Sequence, residues 1–142
     1  MRFEGGCHCG AVRIVFETER PLSVRTCECS YCTKQSARYV CDPCGETEVR
    51  STVRLSRYRF GHEVSDFLSC PRCGGFVGAV TQGDDGIRSV LNLNLFGDPM
   101  LALSATSHNF DGEPADERID RRKANWIPTM LDEPEPPLAP GA

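Results

Sequence analysis

A chain of 142 residues, 39% hydrophobic and 25% charged, fits one folded domain and excludes a disordered polymer or a multidomain array. Its formal net charge of −4 argues against a general nucleic-acid binder, whose contact face is usually basic. No apolar run reaches the length of a membrane span, and Met1 to Gly10 carries no hydrophobic targeting segment. A cytoplasmic location with no membrane partner is therefore expected.

In chain order the dominant period is two, the signature of half-buried strands. Strands are predicted over Ala11–Thr18, Leu22–Thr26, Val53–Phe60 and Val64–Ser69. Phe76–Gln82 should return beside the last of these as a hairpin partner. Arg88–Phe96 alternates most regularly, with Val90, Asn92 and Asn94 on one face and Leu91, Leu93 and Leu95 on the other. Two helices are predicted: one turn over Thr33–Ala37, and Pro114–Trp126, whose early acids and later bases suit the helix dipole. The arginines of that second helix, Arg118, Arg121 and Arg122, read with Lys123 as a solvated face paired with Asp116, Glu117 and Asp120. The expected organisation is one β domain over 1–131 and a Pro-rich disordered tail over 132–142.

Nine cysteines fall within the first 73 residues. They stand in groups: Cys7 and Cys9; Cys27, Cys29 and Cys32; Cys41 and Cys44; Cys70 and Cys73. Thiols this close in sequence hold one soft cation readily but pair poorly as disulfides. In a reducing compartment they stay available to metal, and zinc is the expected ion. Cys7-His8-Cys9-Gly10 and Cys70-Pro71-Arg72-Cys73-Gly74 each join strands, so one pair from each loop completes a closed site of four thiolates. Cys27-x-Cys29-x-x-Cys32 supplies three. That number with an open position suits a catalytic zinc, whereas ligation by Cys41 or Cys44 would close it.

The order Gly6-Cys7-His8-Cys9-Gly10-Ala11-Val12-Arg13, then Cys27-x-Cys29-x-x-Cys32, then Phe67-x-x-Cys70-x-x-Cys73-Gly74 resembles the glutathione-dependent formaldehyde-activating enzyme family, which includes centromere protein V. The resemblance covers roughly residues 3 to 96. It implies a mainly β, zinc-stapled β-tent, here with a short C-terminal helix. It also implies a structural zinc on Cys7, Cys9, Cys70 and Cys73, and a catalytic zinc on Cys27, Cys29 and Cys32. The implied reaction is a carbon–sulfur lyase step in reverse, adding glutathione to formaldehyde. The sequence departs from the family after Cys32, where Ser36-Ala37 stands for a Gly-Ala pair, and in the Cys41-Asp42-Pro43-Cys44-Gly45 element.

A zinc held by three thiolates carries a formal charge of −1. It is a poor site for making hydroxide but well suited to keeping a bound thiol nucleophilic. The leading expectation is an enzyme that activates a glutathione-like thiol for reversible addition to an aldehyde, with these small molecules as its partners. The alternatives are a non-catalytic two-zinc protein-binding module, and a thiol redox or metal-handling protein using Cys41 and Cys44. A homo-oligomer is left open. Lys34 and Arg38 are candidates to offset charge or hold a carboxylate, Asn92 and Asn94 to donate to an oxyanion, and Trp126 to plug the core or an opening. His8 reads as an outward loop residue, and His62 and His108 are unassigned.

Overall fold

A computed structural model describes residues 1–97 and 103–135. Its frame is a mixed, mainly antiparallel sheet of eleven strands among the described residues. At the amino end, β1 (Arg2–Gly6) and β2 (Val12–Glu17) form a hairpin, and β2 pairs next with β5 (Glu46–Ser51). β2 buries Val12, Ile14 and Phe16 while Arg13 and Glu17 face outward. This is the alternation a one-sided sheet requires. Each fully buried side chain of that size contributes about 1.5–3 kcal/mol.

The second half of the sheet is built around β9 (Gly86–Asn92). One edge of β9 meets β8 (Phe76–Gly83), which continues through β7 (Asp66–Ser69) to β6 (Ser56–Tyr58). Its other edge is shared by β11 (Ile127–Asp132) and the two-residue β4 (Tyr39–Val40). β4 leads to β3 (Val24–Cys27), and β3 to the parallel edge strand β10 (Ala105–His108). Helix α1 (Ser30–Gln35) follows β3, and α2 (Ala115–Asn125) precedes β11. No helix among the described residues is long and apolar enough to cross a membrane.

The mainly β class and both helical regions agree with the sequence expectation, but three elements differ. The strand expected over Val53–Phe60 shrinks to Ser56–Tyr58, and Glu46–Ser51 is the longer strand before it. The strand expected over Arg88–Phe96 ends at Asn92, where the chain tightens into a 3-10 turn over Leu93–Leu95. The short helix near the C-terminus is not the last element, because β11 returns parallel to β5 and antiparallel to β9. Pro128 argues against an interior strand. It is tolerated because pairing with β5 begins only at Thr129, so Pro128 has a strand neighbour on one side only, as at a sheet edge.

The boundary expected between residues 131 and 132 falls inside β11. Beyond it, Glu133 accepts from the Leu55 amide at 2.9 Å and from the Arg57 guanidinium. Of the expected tail, 136–142 lies outside the described residues.

The segment 41–45 forms a turn between β4 and β5, organised by the buried Asp42. Its carboxylate accepts from Thr18 Oγ1 at 2.6 Å and from the Cys44 amide at 2.9 Å, and Arg20 lies 3.7 Å away. Burial pushes the Asp42 carboxyl up, but these donors outweigh it and hold it below the usual range. The deprotonated form is thus favoured by folding. Its contribution is fully present above the ordinary carboxylate range and is lost as pH falls through that range and below. In denaturant unfolding followed from neutral pH downward, Asp42→Asn should lower stability near neutrality and flatten the acid limb. An unchanged acid limb would remove Asp42 from that account.

Candidate metal centres and the cavity beside them

The first thiol group forms where two turns meet. Cys7 and Cys9 lie between β1 and β2, and Cys70 and Cys73 between β7 and β8. In the first turn the Gly10 amide donates to Cys7 O at 3.1 Å; in the second the Gly74 amide donates to Cys70 O at 2.8 Å. Gly10 and Gly74 sit at φ 82° and 77°, left-handed values that other residues rarely adopt. All four sulfurs lie within 4.8 Å of one another, with Cys7–Cys9 at 3.6 Å and Cys9–Cys70 at 3.7 Å. Tetrahedral zinc with bonds of about 2.3 Å requires sulfurs about 3.8 Å apart, so the donor set fits that ion. The Val12 amide donates to Cys7 Sγ at 3.3 Å, the kind of support a metal-bound thiolate takes.

The second group comes from the end of β3 and the start of α1. Cys27 closes the strand, Cys29 caps the helix and Cys32 lies in its first turn, with the three sulfurs within 4.8 Å of one another. The Cys32 amide donates to Cys29 Sγ at 3.4 Å. Tyr31, between the last two thiols, packs against Tyr58, Phe60, Phe67 and Phe76 at 4.9–5.6 Å between ring centres. That aromatic contact ties the thiol loop to β6, β7 and β8.

The electrostatics of both groups show why a cation is favoured. A hydrogen bond from Cys32 leads in lowering Cys27 to about 6, while that same bond to Cys27 and burial push Cys32 up. In the other group the Cys9 and Gly75 amides lower Cys73 to about 6. Cys9 is pulled down by the Ala11 amide, but burial and the three neighbouring thiols outweigh this and push it up to about 11. In each group one thiol is lowered and another is raised, because adjacent thiolates repel. A divalent cation removes that conflict. The two groups could therefore hold metal ions such as zinc.

The surroundings of the two groups differ. Cys27, Cys29 and Cys32 border a cavity of about 380 Å³, while none of Cys7, Cys9, Cys70 and Cys73 lines it. Cys41 also borders this cavity, but its sulfur is outside the group of three. Cys44 is exposed and takes a hydrogen bond from Arg20 at 2.9 Å. The turn thus sends the two sulfurs to different surroundings, and all nine cysteines are free thiols.

Other expectations are redistributed. Asn92 donates to Phe76 O and accepts from the Asn94 amide, and Asn94 donates to Ser36 O. They brace the end of β9 and do not line the cavity. Arg38 donates to Leu103 O, Lys34 is exposed, and neither borders the cavity. His8 is exposed, His62 meets Glu113 O at 2.9 Å, and His108 stacks on Phe110. Trp126 is buried and forms part of the cavity wall.

The arginines of α2 do not form a face paired within the helix. Arg118 and Arg121 bind Glu113 at 3.1 and 2.9 Å, and with Arg122 they line the cavity. Glu113 precedes the helix, and so removes the pairing pattern that spacing inside the helix suggests. Sequence reasoning also missed Tyr39, whose hydroxyl lies 3.0 Å from Cys32 Sγ. No local pattern marks it; the two-residue β4 brings it back against the helix.

The fold and these two groups define a mainly β protein with paired cysteine-rich sites able to hold metal. No known protein-family profile matches the chain. It is similar to the crystal structure of a Rhodobacter sphaeroides protein from a structural-genomics programme, with a TM-score of 0.61 and 23% identity, over 74% of this chain and 99% of that one. At that identity the likeness shows a shared fold.

Because thiols bind metal as thiolates, acidification should release it. Zinc-loaded protein titrated with acid in the presence of a chromogenic chelator should lose metal in two steps, the three-thiol group first. Cys70→Ser should abolish the later step and lower the melting temperature. A variant that loses neither metal nor stability would refute the stapling role of the four-thiol group.

Proposed function

We propose that this chain is a zinc-dependent enzyme that adds a thiol reversibly to an aldehyde, the chemistry of the formaldehyde-activating family its cysteine order resembles. The observation that carries this reading is the three-thiol group bordering a cavity, beside a four-thiol group set apart from that cavity. On this reading Cys7, Cys9, Cys70 and Cys73 serve structure, while Cys27, Cys29 and Cys32 serve the reaction.

Zinc bound by the three sulfurs would supply a position at which an incoming thiol is kept as thiolate near neutral pH. The chain's own residues account for the remainder. Carbon–sulfur bond formation moves negative charge onto the carbonyl oxygen, which then takes the proton the thiol gave up. Arg118 and Arg121, fixed by Glu113, place positive charge along the wall and lower the cost of that developing charge. Phe60, Phe67 and Trp126 limit water at the cavity. Burial pushes the Tyr39 hydroxyl far above its ordinary range, so it stays protonated and donates to Cys32 Sγ once that sulfur is a thiolate. Tyr39 is a positioning residue for the ligand sulfur.

The test uses zinc-loaded protein with glutathione and formaldehyde, following adduct exchange by NMR above the uncatalysed rate. Catalysis and one equivalent of zinc should be lost together in Cys29→Ser, while Cys44→Ser should keep both. Zinc X-ray absorption should show an added sulfur neighbour only when the thiol is present. Full occupancy of both groups with no rate enhancement and no thiol-dependent spectrum would sink the proposal. Tyr39→Phe should retain the fold and lose ~10–100-fold in activity or metal affinity, the usual cost of removing a partner of a metal ligand. An unchanged activity and affinity would remove Tyr39 from the mechanism.

A further inference from the structure

The cavity joins two kinds of wall that a one-carbon aldehyde has no use for. Its lining combines the apolar surfaces of Phe60, Phe67, Ala79 and Val90 with the arginines Arg25, Arg118, Arg121 and Arg122. The volume of about 380 Å³ suits a metabolite-sized ligand rather than formaldehyde alone.

The arginines are unequal. Arg118 and Arg121 share Glu113, and Arg121 covers the Phe110 ring at 3.6 Å. Arg122 has no carboxylate partner among the described residues. It donates from Nη1 to Ser65 Oγ and lies 4.7 Å over the Trp126 ring, and its buried Nε has no hydrogen-bond partner. Arg25, on β3, likewise has no ion pair among the described residues. Removing a guanidinium from water without a counter-charge is unfavourable. Cys27, Cys29 and Cys32 as thiolates holding a divalent cation would supply one net negative charge. Glu113 and Asp111 supply two more, so the four arginines still leave an excess of one positive charge.

We propose that the reactant held in this cavity is an amphipathic acid, with an aromatic or branched apolar body against Phe60, Phe67 and Trp126 and its carboxylate on Arg122 and Arg25. This deepens the reading of the cavity as the reaction site and rests on it for its catalytic meaning; the binding itself does not require turnover.

Trp126 is the chain's single tryptophan and lies in the wall, so its emission reports occupancy. Zinc-loaded protein would be titrated with unreactive probes: 3-phenylpropionate, 3-phenylpropan-1-ol and acetate. The aromatic acid should change the emission saturably and bind at least about tenfold more tightly than either the neutral alcohol or acetate, as one charge-assisted contact allows. Arg122→Met should remove most of the preference for the acid over the alcohol while zinc content stays at its original level. Arg25→Met gives the same comparison if Arg122→Met does not fold. Equal binding of acid and alcohol, or acetate binding as tightly as the aromatic acid, would overturn the proposal. So would an arginine variant that loses zinc without changing selectivity, since that would make the arginines counter-charges to the metal centre. Failure of thiol–aldehyde catalysis with these binding preferences intact would refute the reaction and leave the ligand class standing. The reverse pattern would refute the ligand class alone.

Discussion

Four sulfurs gather at two turns whose Cys9 and Cys70 lie 61 residues apart, and a metal ion held there would tie those turns together. One turn ends the β1–β2 hairpin and the other joins β7 to β8, so the thiols connect opposite halves of the sheet. Structural zinc contributes about 10–16 kcal/mol to folding in small peptides, comparable with the whole stability of many domains. A core assembled from short strands can then leave part of its interior as a cavity. The apolar cluster around Ile14, Val49, Leu91 and Ile127 lies in the continuous part of the sheet, while the aromatic cluster around Tyr39, Phe67 and Phe76 adjoins the three-thiol group.

The cavity owes its chemistry to segments distant in the chain. The thiols come from β3 and α1, the aromatic wall from the region of β6 to β8, and the cationic wall mainly from α2. Glu113 holds Arg118 and Arg121 in place, whereas Arg122 is carried over Trp126 where the helix ends. Charge of one sign is thus concentrated where the chain as a whole carries an excess of the other. Overall charge therefore gives no guide to the local field at this site.

The cysteine groups were readable because metal-ligating spacing is a local property, and the glycines after Cys9 and Cys73 mark turns that only certain residues make. The alternation of β2 and the β7–β8 hairpin was readable for the same reason. β1 was not, because Gly5 and Gly6 weaken any strand pattern. Yet an added Cβ at Gly5 would meet Leu95 O at 2.4 Å, so close packing requires the glycine. β11 was obscured by Pro128, and the break after Asn92 by an alternation that continues through Leu95. The inward arginines and Tyr39 depend on contacts between separate elements, which no spacing rule reports. Cys41 and Cys44 share a motif, but the Asp42-centred turn places them in different environments.

The position of β11 has a further consequence for how the molecule assembles. Every cysteine lies within the first 73 residues, whereas β10, α2 and β11 come from the last third. Synthesis therefore presents a complete set of metal ligands before the cationic wall exists. β11 must then enter between β5 and β9, a non-local pairing that forms late and slowly. A metal ion could then be taken up while the thiols are still open to solvent. Insertion of the last strand would bring α2 and Trp126 into place afterwards, so loading and closure of the site would be successive events along one chain.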